Sequence, residues 1–263
     1  MKKTLLALTF SALAISGQTL AAPGDAVPNT FTNGAVANAD QVNANFTEVV
    51  SQISELSTTY SFRDYGHLYD TKTFSVIDSA GIYDKELRTF TRTSGQVSYT
   101  RDRSLSSART QYQTIYLDTS GTDLLFTKLE GHSPVNITVI GDIRTMTPGV
   151  KMRTESMEIG KSFGSGSVLS STFAGTSAVI QTSILLAADV NITVNAVDYT
   201  GCIQISRHRA ATRLGARHDT VSTFCPGVGL VQQLQVFEPT TDTVQRSVIK
   251  EVLTCNSTTC VQQ

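Results

Sequence analysis

The sequence predicts a mainly β protein: an antiparallel curved sheet or half-barrel preceded by one N-terminal amphipathic helix with a short heptad pattern. Three observations predict it. From Tyr60 onward, runs rich in Thr, Val, Ile, Tyr and Phe recur between stretches of turn chemistry, the composition that a pleated, half-buried surface favours. Hydroxyl residues, 37 Thr and 27 Ser, carry much of the polarity, while only 16% of residues are charged, against about 25% in an average soluble domain. One stretch near the N-terminus instead repeats its apolar residues at helical spacing.

Taken in order, residues 1–21 read as a signal peptide. Lys2 and Lys3 form the positive start, Leu5 to Ile15 the apolar centre, and Thr19-Leu20-Ala21 the small-residue cleavage site. The apolar run is too short to cross a bilayer, and no other run is long enough, so the mature chain is expected to have no transmembrane segment. Residues 22–59 hold a polar linker and the helix. Asn38 can cap it, with Gln41 three residues on. Val42, Phe46, Val49, Ile53 and Leu56 are spaced 4, 3, 4, 3, an a/d seam of about two and a half heptads. A helix this short is marginal alone. It must either cover a sheet or self-associate through Val42, Phe46, Val49 and Ile53.

Residues 60–263 are expected to form one antiparallel β domain. Leu87–Thr93 and Gln96–Arg101 flank Ser94-Gly95 as a hairpin. Further strand-like runs are Gln113–Leu117, Leu124–Leu129, Val135–Ile143, Ala178–Leu186, Asn191–Val197, Cys202–Arg207, Thr220–Cys225, Leu230–Phe237 and Val244–Leu253, the last also compatible with a helix. Between Met146 and Ser167, Gly and Ser suggest irregular chain. Ala178–Leu186 is apolar at neighbouring positions, so both of its faces are expected to meet apolar surroundings. Arg207, Arg209, Arg213 and Arg217 form the one concentrated basic patch, expected at a long hairpin tip. It reads as a solvated loop or as a contact for an anionic partner such as a lipid headgroup or glycan.

All four cysteines lie beyond the signal peptide, as in an exported chain with disulfides. Of three connectivities, Cys202–Cys225 would tie neighbouring strands and Cys255–Cys260 would close a small C-terminal loop. Export to the periplasm or beyond is expected, and the signal peptide suits a Gram-negative bacterium. No metal-ligand spacing is present and no cofactor is implied. The chain lacks G-x-S-x-G, H-E-x-x-H and P-loop motifs. His67, His132, His208 and His218 are far apart in sequence, and Gly164-Ser165-Gly166-Ser167 lacks the lysine of a phosphate cradle. No catalytic residue is assigned. With a formal charge of −1, nucleic acid is not an expected partner.

Two segments carry a resemblance. Pro28–Phe31 with Ala39-Asp40-Gln41-Val42-Asn43-Ala44-Asn45-Phe46 resembles an N-terminal element of exported bacterial proteins of unknown role, where it precedes a β-rich body. Tyr199-Thr200-Gly201-Cys202-Ile203-Gln204-Ile205 with Phe224-Cys225-Pro226-Gly227-Val228-Gly229-Leu230-Val231 resembles the C-terminal strands of uncharacterised periplasmic or lipoprotein-like β proteins. Cys225 departs from the small residue expected before that proline. The resemblance implies an architecture and assigns no site residues. The expected function is non-enzymatic: a binding protein whose curved sheet holds an apolar or lipid-like ligand. The alternative is a structural or adhesive surface component oligomerised through the helix, and an enzyme ranks third.

Overall fold

Twelve strands close into a barrel in the computed structural model, which describes residues 38–56, 58–66, 70–132, 141–173, 175–211, 216–239 and 246–256. They are β1 (Thr71–Asp78), β2 (Lys85–Thr93), β3 (Gln96–Leu105), β4 (Ala108–Asp118), β5 (Asp123–Gly131), β6 (Ile143–Thr154), β7 (Ser162–Ser171), β8 (Gly175–Val194), β9 (Val197–Ala211), β10 (Ala216–Cys225), β11 (Gly229–Pro239) and β12 (Arg246–Asn256). Each pairs antiparallel with its sequence neighbours, and β1 pairs with β12 from Thr71↔Asn256 to Asp78↔Val248. The expected open half-barrel is therefore a closed barrel. Closure removes the two unpaired strand edges that a half-barrel would leave to water or to another chain.

Other expectations change for local reasons. The Gly/Ser-rich stretch from Met146 to Ser167 is largely strand, in β6 and β7. Glycine there serves close approach: a Cβ on Gly164 would lie 2.1 Å from the Gln181 carbonyl oxygen on β8. The run Val244–Leu253 resolves as strand from Arg246 onward. In β8 only alternate residues turn inward. Val179, Gln181, Ser183 and Leu185 are buried, while Ile180 and Leu186 are exposed on the outer face, so the strand does not meet apolar surroundings on both faces. The basic hairpin is shorter than expected, with β9 running to Ala211 and β10 resuming at Ala216.

The chain divides into two compact units, Met1–Ser57 and Thr58–Gln263. The first contains α1 (Ala39–Leu56). Asn38 starts it, its side-chain oxygen accepting from the Asp40 amide at 2.9 Å and its carbonyl from the Val42 amide at 3.1 Å. Phe46, Val49 and Val50 are exposed on this helix, and the Ile53 side chain lies outside the described residues.

In the second unit, residues 58–66 close one end of the barrel. Tyr60 exchanges backbone hydrogen bonds with Met157, the Phe62 amide donates to the Thr154 carbonyl, and the Gly227 amide donates to the Asp64 carbonyl. Phe62 and Tyr65 are buried among Leu117, Leu124, Phe126 and Met157. Each such buried side chain contributes roughly 1.5–3 kcal/mol. The same end carries the turn between β8 and β9, where Asn195 and Ala196 both take positive φ (50° and 62°), the twist a two-residue hairpin requires. It also carries the Cys202–Cys225 disulfide between β9 and β10. Of the second expected bridge, Cys255 is disulfide-bonded, while Cys260 lies outside the described residues.

Candidate functional site: a cationic chamber inside the barrel

The other end of the interior is chemically different. Strand alternation sends residues i and i+2 to one face, and several pairs here place arginine inward. Glu86, Arg88 and Phe90 face in on β2, then Tyr99, Arg101 and Arg103 on β3, and Ile205, Arg207 and Arg209 on β9. All of these but Glu86 and Phe90, together with His218 and Thr220 on β10, Phe237 on β11, and Arg246 and Lys250 on β12, line a cavity of about 330 Å³. The rest of its lining is mostly apolar, with Ile115, Leu117, Leu124, Phe126, Leu129, Met152, Phe224 and Leu230, interrupted by Arg153, Ser222, Gln233 and Gln235.

Seven arginines line this cavity: Arg88, Arg101, Arg103, Arg153, Arg207, Arg209 and Arg246. Two carboxylates among the described residues pair with the cations. Glu86, fully buried, accepts from Arg88 (2.7 Å), Arg103 (2.9 Å) and Lys250 (3.0 Å). These three cations hold its carboxyl well below the usual range, Lys250 most strongly, against the opposing effect of burial. Asp78 accepts two hydrogen bonds from Arg246, at 3.0 and 2.7 Å.

Arg101, Arg207 and Arg209 have no carboxylate partner among the described residues. Arg101 donates to the Gln113 side-chain oxygen. Arg207 has the Met152 sulfur at 3.7 Å. Arg209 donates to the Gln181 side-chain oxygen at 3.0 and 2.9 Å and stands 5.4 Å from the Phe126 ring centroid. Aromatic faces offset part of a cation's desolvation, about 0.5–2 kcal/mol each, which is far below the worth of a buried counter-ion. Burial and the neighbouring cations push Arg101 down to about 10 and Arg209 down to about 9, and lower Arg207 as well. All three remain charged at neutral pH. His218 is pushed down to about 4, first by burial and then by Arg209 and Arg207. Its neutral ring accepts at Nδ1 from the Gln235 amide nitrogen at 3.2 Å.

The four arginines singled out in the sequence thus separate. Arg207 and Arg209 face the chamber. Arg217 faces outward, 3.4 Å from Asp219, and Arg213 lies outside the described residues. The sequence reading missed Arg88, Arg101, Arg103 and Arg246. The Arg101-x-Arg103 and Arg207-x-Arg209 spacing was the available signal, because inside a strand it places both guanidiniums on one face. Of the histidines, His132 contacts Thr114 Oγ1 at 2.9 Å, His208 contacts Asp219 at 2.5 Å, and His67 lies outside the described residues. Among the described residues no three of His, Cys, Asp and Glu come together in a way that could hold a metal ion.

Fold and site together define a closed twelve-stranded antiparallel meander barrel with a cationic, half-apolar chamber in its interior. Comparison with family models, with curated proteins and with solved structures gave no match.

Proposed function

We propose that this is an exported, non-enzymatic binding protein that holds a small anionic amphiphile inside the barrel. The observation that carries the reading is the set Arg101, Arg207 and Arg209, three half-buried arginines that line the cavity without a carboxylate partner among the described residues. A charge partly withdrawn from water with no counter-ion bonded to it is costly, and a ligand anion would supply that counter-charge. The apolar wall opposite would take the ligand's hydrocarbon part, the usual division of labour in a ligand pocket. At about 330 Å³ the chamber lies at the small end of ligand pockets, which run from about 300 to about 1,000 Å³. That favours one short-chain amphiphile over a whole two-tailed lipid. On β2, β3 and β4 the outer face is mostly polar: Thr89, Thr91, Ser98, Thr100, Asp102 and Thr114 alternate with the inward residues, with Leu87 exposed among them. A lipid-facing barrel carries an apolar band there. A disulfide and the absence of any described helix long and apolar enough to cross a membrane are compatible with export.

The test is native mass spectrometry of protein purified from its host, followed by titration of the delipidated protein with single-chain anionic amphiphiles. A bound anionic mass, or saturable binding lost at least tenfold in Arg207→Gln/Arg209→Gln, is the expected result. Binding indifferent to those two substitutions would remove the reading.

A second reading, assembly through the helix, draws on Phe46, Val49 and Val50, which are exposed on α1. Light scattering at tens of micromolar should then report an oligomer that Phe46→Asp converts to monomer. A monomeric wild type would end it.

A further inference from the structure

Within that proposed ligand class, and resting on it, we infer that the headgroup is a tetrahedral oxyanion, a phosphate or sulfate monoester, and not a carboxylate. The motivating observation is a pair of orphaned buried atoms on two residues that line the chamber from different strands. Arg101 and Thr220 both line the cavity, and Arg101 Nε and Thr220 Oγ1, each shielded from solvent, have no hydrogen-bond partner among the described residues. Thr220 is 2% exposed. Buried polar atoms in native proteins are nearly always satisfied, so two orphans on residues lining one cavity ask for a partner there.

The directions of the donors decide the partner's geometry. In a ring of twelve strands, β3 and β9 are six apart and stand on opposite walls. Arg101 therefore reaches inward from one wall and Arg207 and Arg209 from the other, close enough that Arg101 depresses Arg209. Thr220 is the register partner of Arg207 on β10 and adds a hydroxyl beside that guanidinium. A carboxylate presents two oxygens in one plane, well matched to a single planar guanidinium fork. Donors converging from opposite walls, with a hydroxyl to one side, match three terminal oxygens spread tetrahedrally. Charge points the same way: three guanidiniums without carboxylate partners suit a dianion better than a monoanion, which places a phosphate monoester ahead of a sulfate. Ser183 Oγ, on β8 at the other flank of Arg207, is also without a partner, but it does not line the cavity and is not needed for the grip.

The experiment is calorimetric titration of the full mature protein with octyl phosphate, octyl sulfate, octanoate and octanol, together with inorganic phosphate. The four amphiphiles share one tail. Octyl phosphate should bind at least tenfold more tightly than octanoate, with octyl sulfate between them, and octanol and inorganic phosphate weakest. Thr220→Val, which preserves volume, should cut octyl phosphate affinity several-fold and leave octanoate within a factor of two. Arg101→Gln should erase most of the phosphate-over-carboxylate preference. If octanoate binds as tightly as octyl phosphate, the tetrahedral headgroup is wrong and the anionic-amphiphile reading stands. If octanol binds as tightly as all three anions, or none of the four binds, both fail. Near-ultraviolet dichroism of each variant establishes that it is folded before its affinity is read.

Discussion

His218 shows how the chamber's electrostatics act on one side chain. Its ring lies edge-on to Phe237, with centroids 4.5 Å apart, beside Arg207 and Arg209 on β9 and Arg246 on β12, with Asp219 as the opposing charge. A base with a folded-state pKa pushed down to about 4 stays neutral in the barrel while the unfolded chain takes up a proton near its ordinary value of about 6.5. The unfolded state then binds more protons across the window between those values, so stability falls as pH drops through it. The expected loss between about pH 7 and about pH 5 is about 1–2 kcal/mol, after discounting for partial exposure. Glu86 acts lower: its carboxyl is depressed, so its stabilisation is lost only as pH falls below the ordinary carboxylate range. Urea unfolding of His218→Gln should therefore show a much shallower change between those two pH values than wild type. Equal slopes would mean that the ring is not held neutral by its surroundings. Bound anion should reverse part of the shift, visible as a downfield move of the ring resonances at about pH 6.

At the scale of elements, the β9–β10 hairpin is where sequence and structure agree most closely. Both strands were legible from alternation and β-branched content, and the Cys202–Cys225 bridge followed from their adjacency. The bridge spans 23 residues of sequence, and both cysteines are fully buried. Closing a loop of that size contributes roughly 3 kcal/mol on the chain-entropy model. The Cys202→Ala/Cys225→Ala variant should lose about 2–4 kcal/mol in urea titrations, with the folded-state near-ultraviolet spectrum retained. A loss under about 1 kcal/mol would place the hairpin's stability in its ladder and not in the bridge. The Leu87–Arg101 hairpin was legible for the same local reason, a turn between two alternating runs. Three features were not legible. β6 and β7 hid because Gly164 and Gly166 mark loops by composition, whereas here Gly164 permits the chain to approach β8 closely. The direction of Arg207 and Arg209 was lost because a basic run reads as solvated, and only the i, i+2 register within a barrel turns it inward. The chamber required knowing that β3 and β9 face one another, which depends on strand number and closure and on nothing local.

For the whole molecule, closure arranges charge as well as backbone. The chain has 21 Lys and Arg against 22 Asp and Glu. Set aside the seven arginines and Lys250 that line the cavity, with Glu86 and Asp78 that pair with them, and thirteen basic residues remain against twenty acidic ones. A near-neutral total thus conceals a cationic interior inside an acidic remainder, which is why net charge alone gave no hint of an anion site. An apolar row also crosses the outer face in register, from Val221 to Leu234, Ile249 and Ile77. The strand that completes the ring, β12, carries much of this arrangement. It covers the edges of β1 and β11, supplies Val248 and Val252 to the core, and provides Arg246 for Asp78 and Lys250 for Glu86. An open sheet loses one edge strand at modest cost, because a new edge is exposed where another was before. A closed barrel that loses a strand gains two edges at once, and here it also leaves buried carboxylates short of partners, at about 3–5 kcal/mol for each broken buried pair. Against a typical total stability of about 5–15 kcal/mol, that is enough to abolish the fold. A chain ending at residue 245 should accordingly show no cooperative urea transition, little near-ultraviolet dichroism and strong binding of an apolar dye. The Lys250→Met chain, with every strand present, should remain cooperative at reduced stability. A sharp unfolding transition in the shortened chain would show that the remaining eleven strands stand as an open sheet, and that closure is not what holds the chamber together.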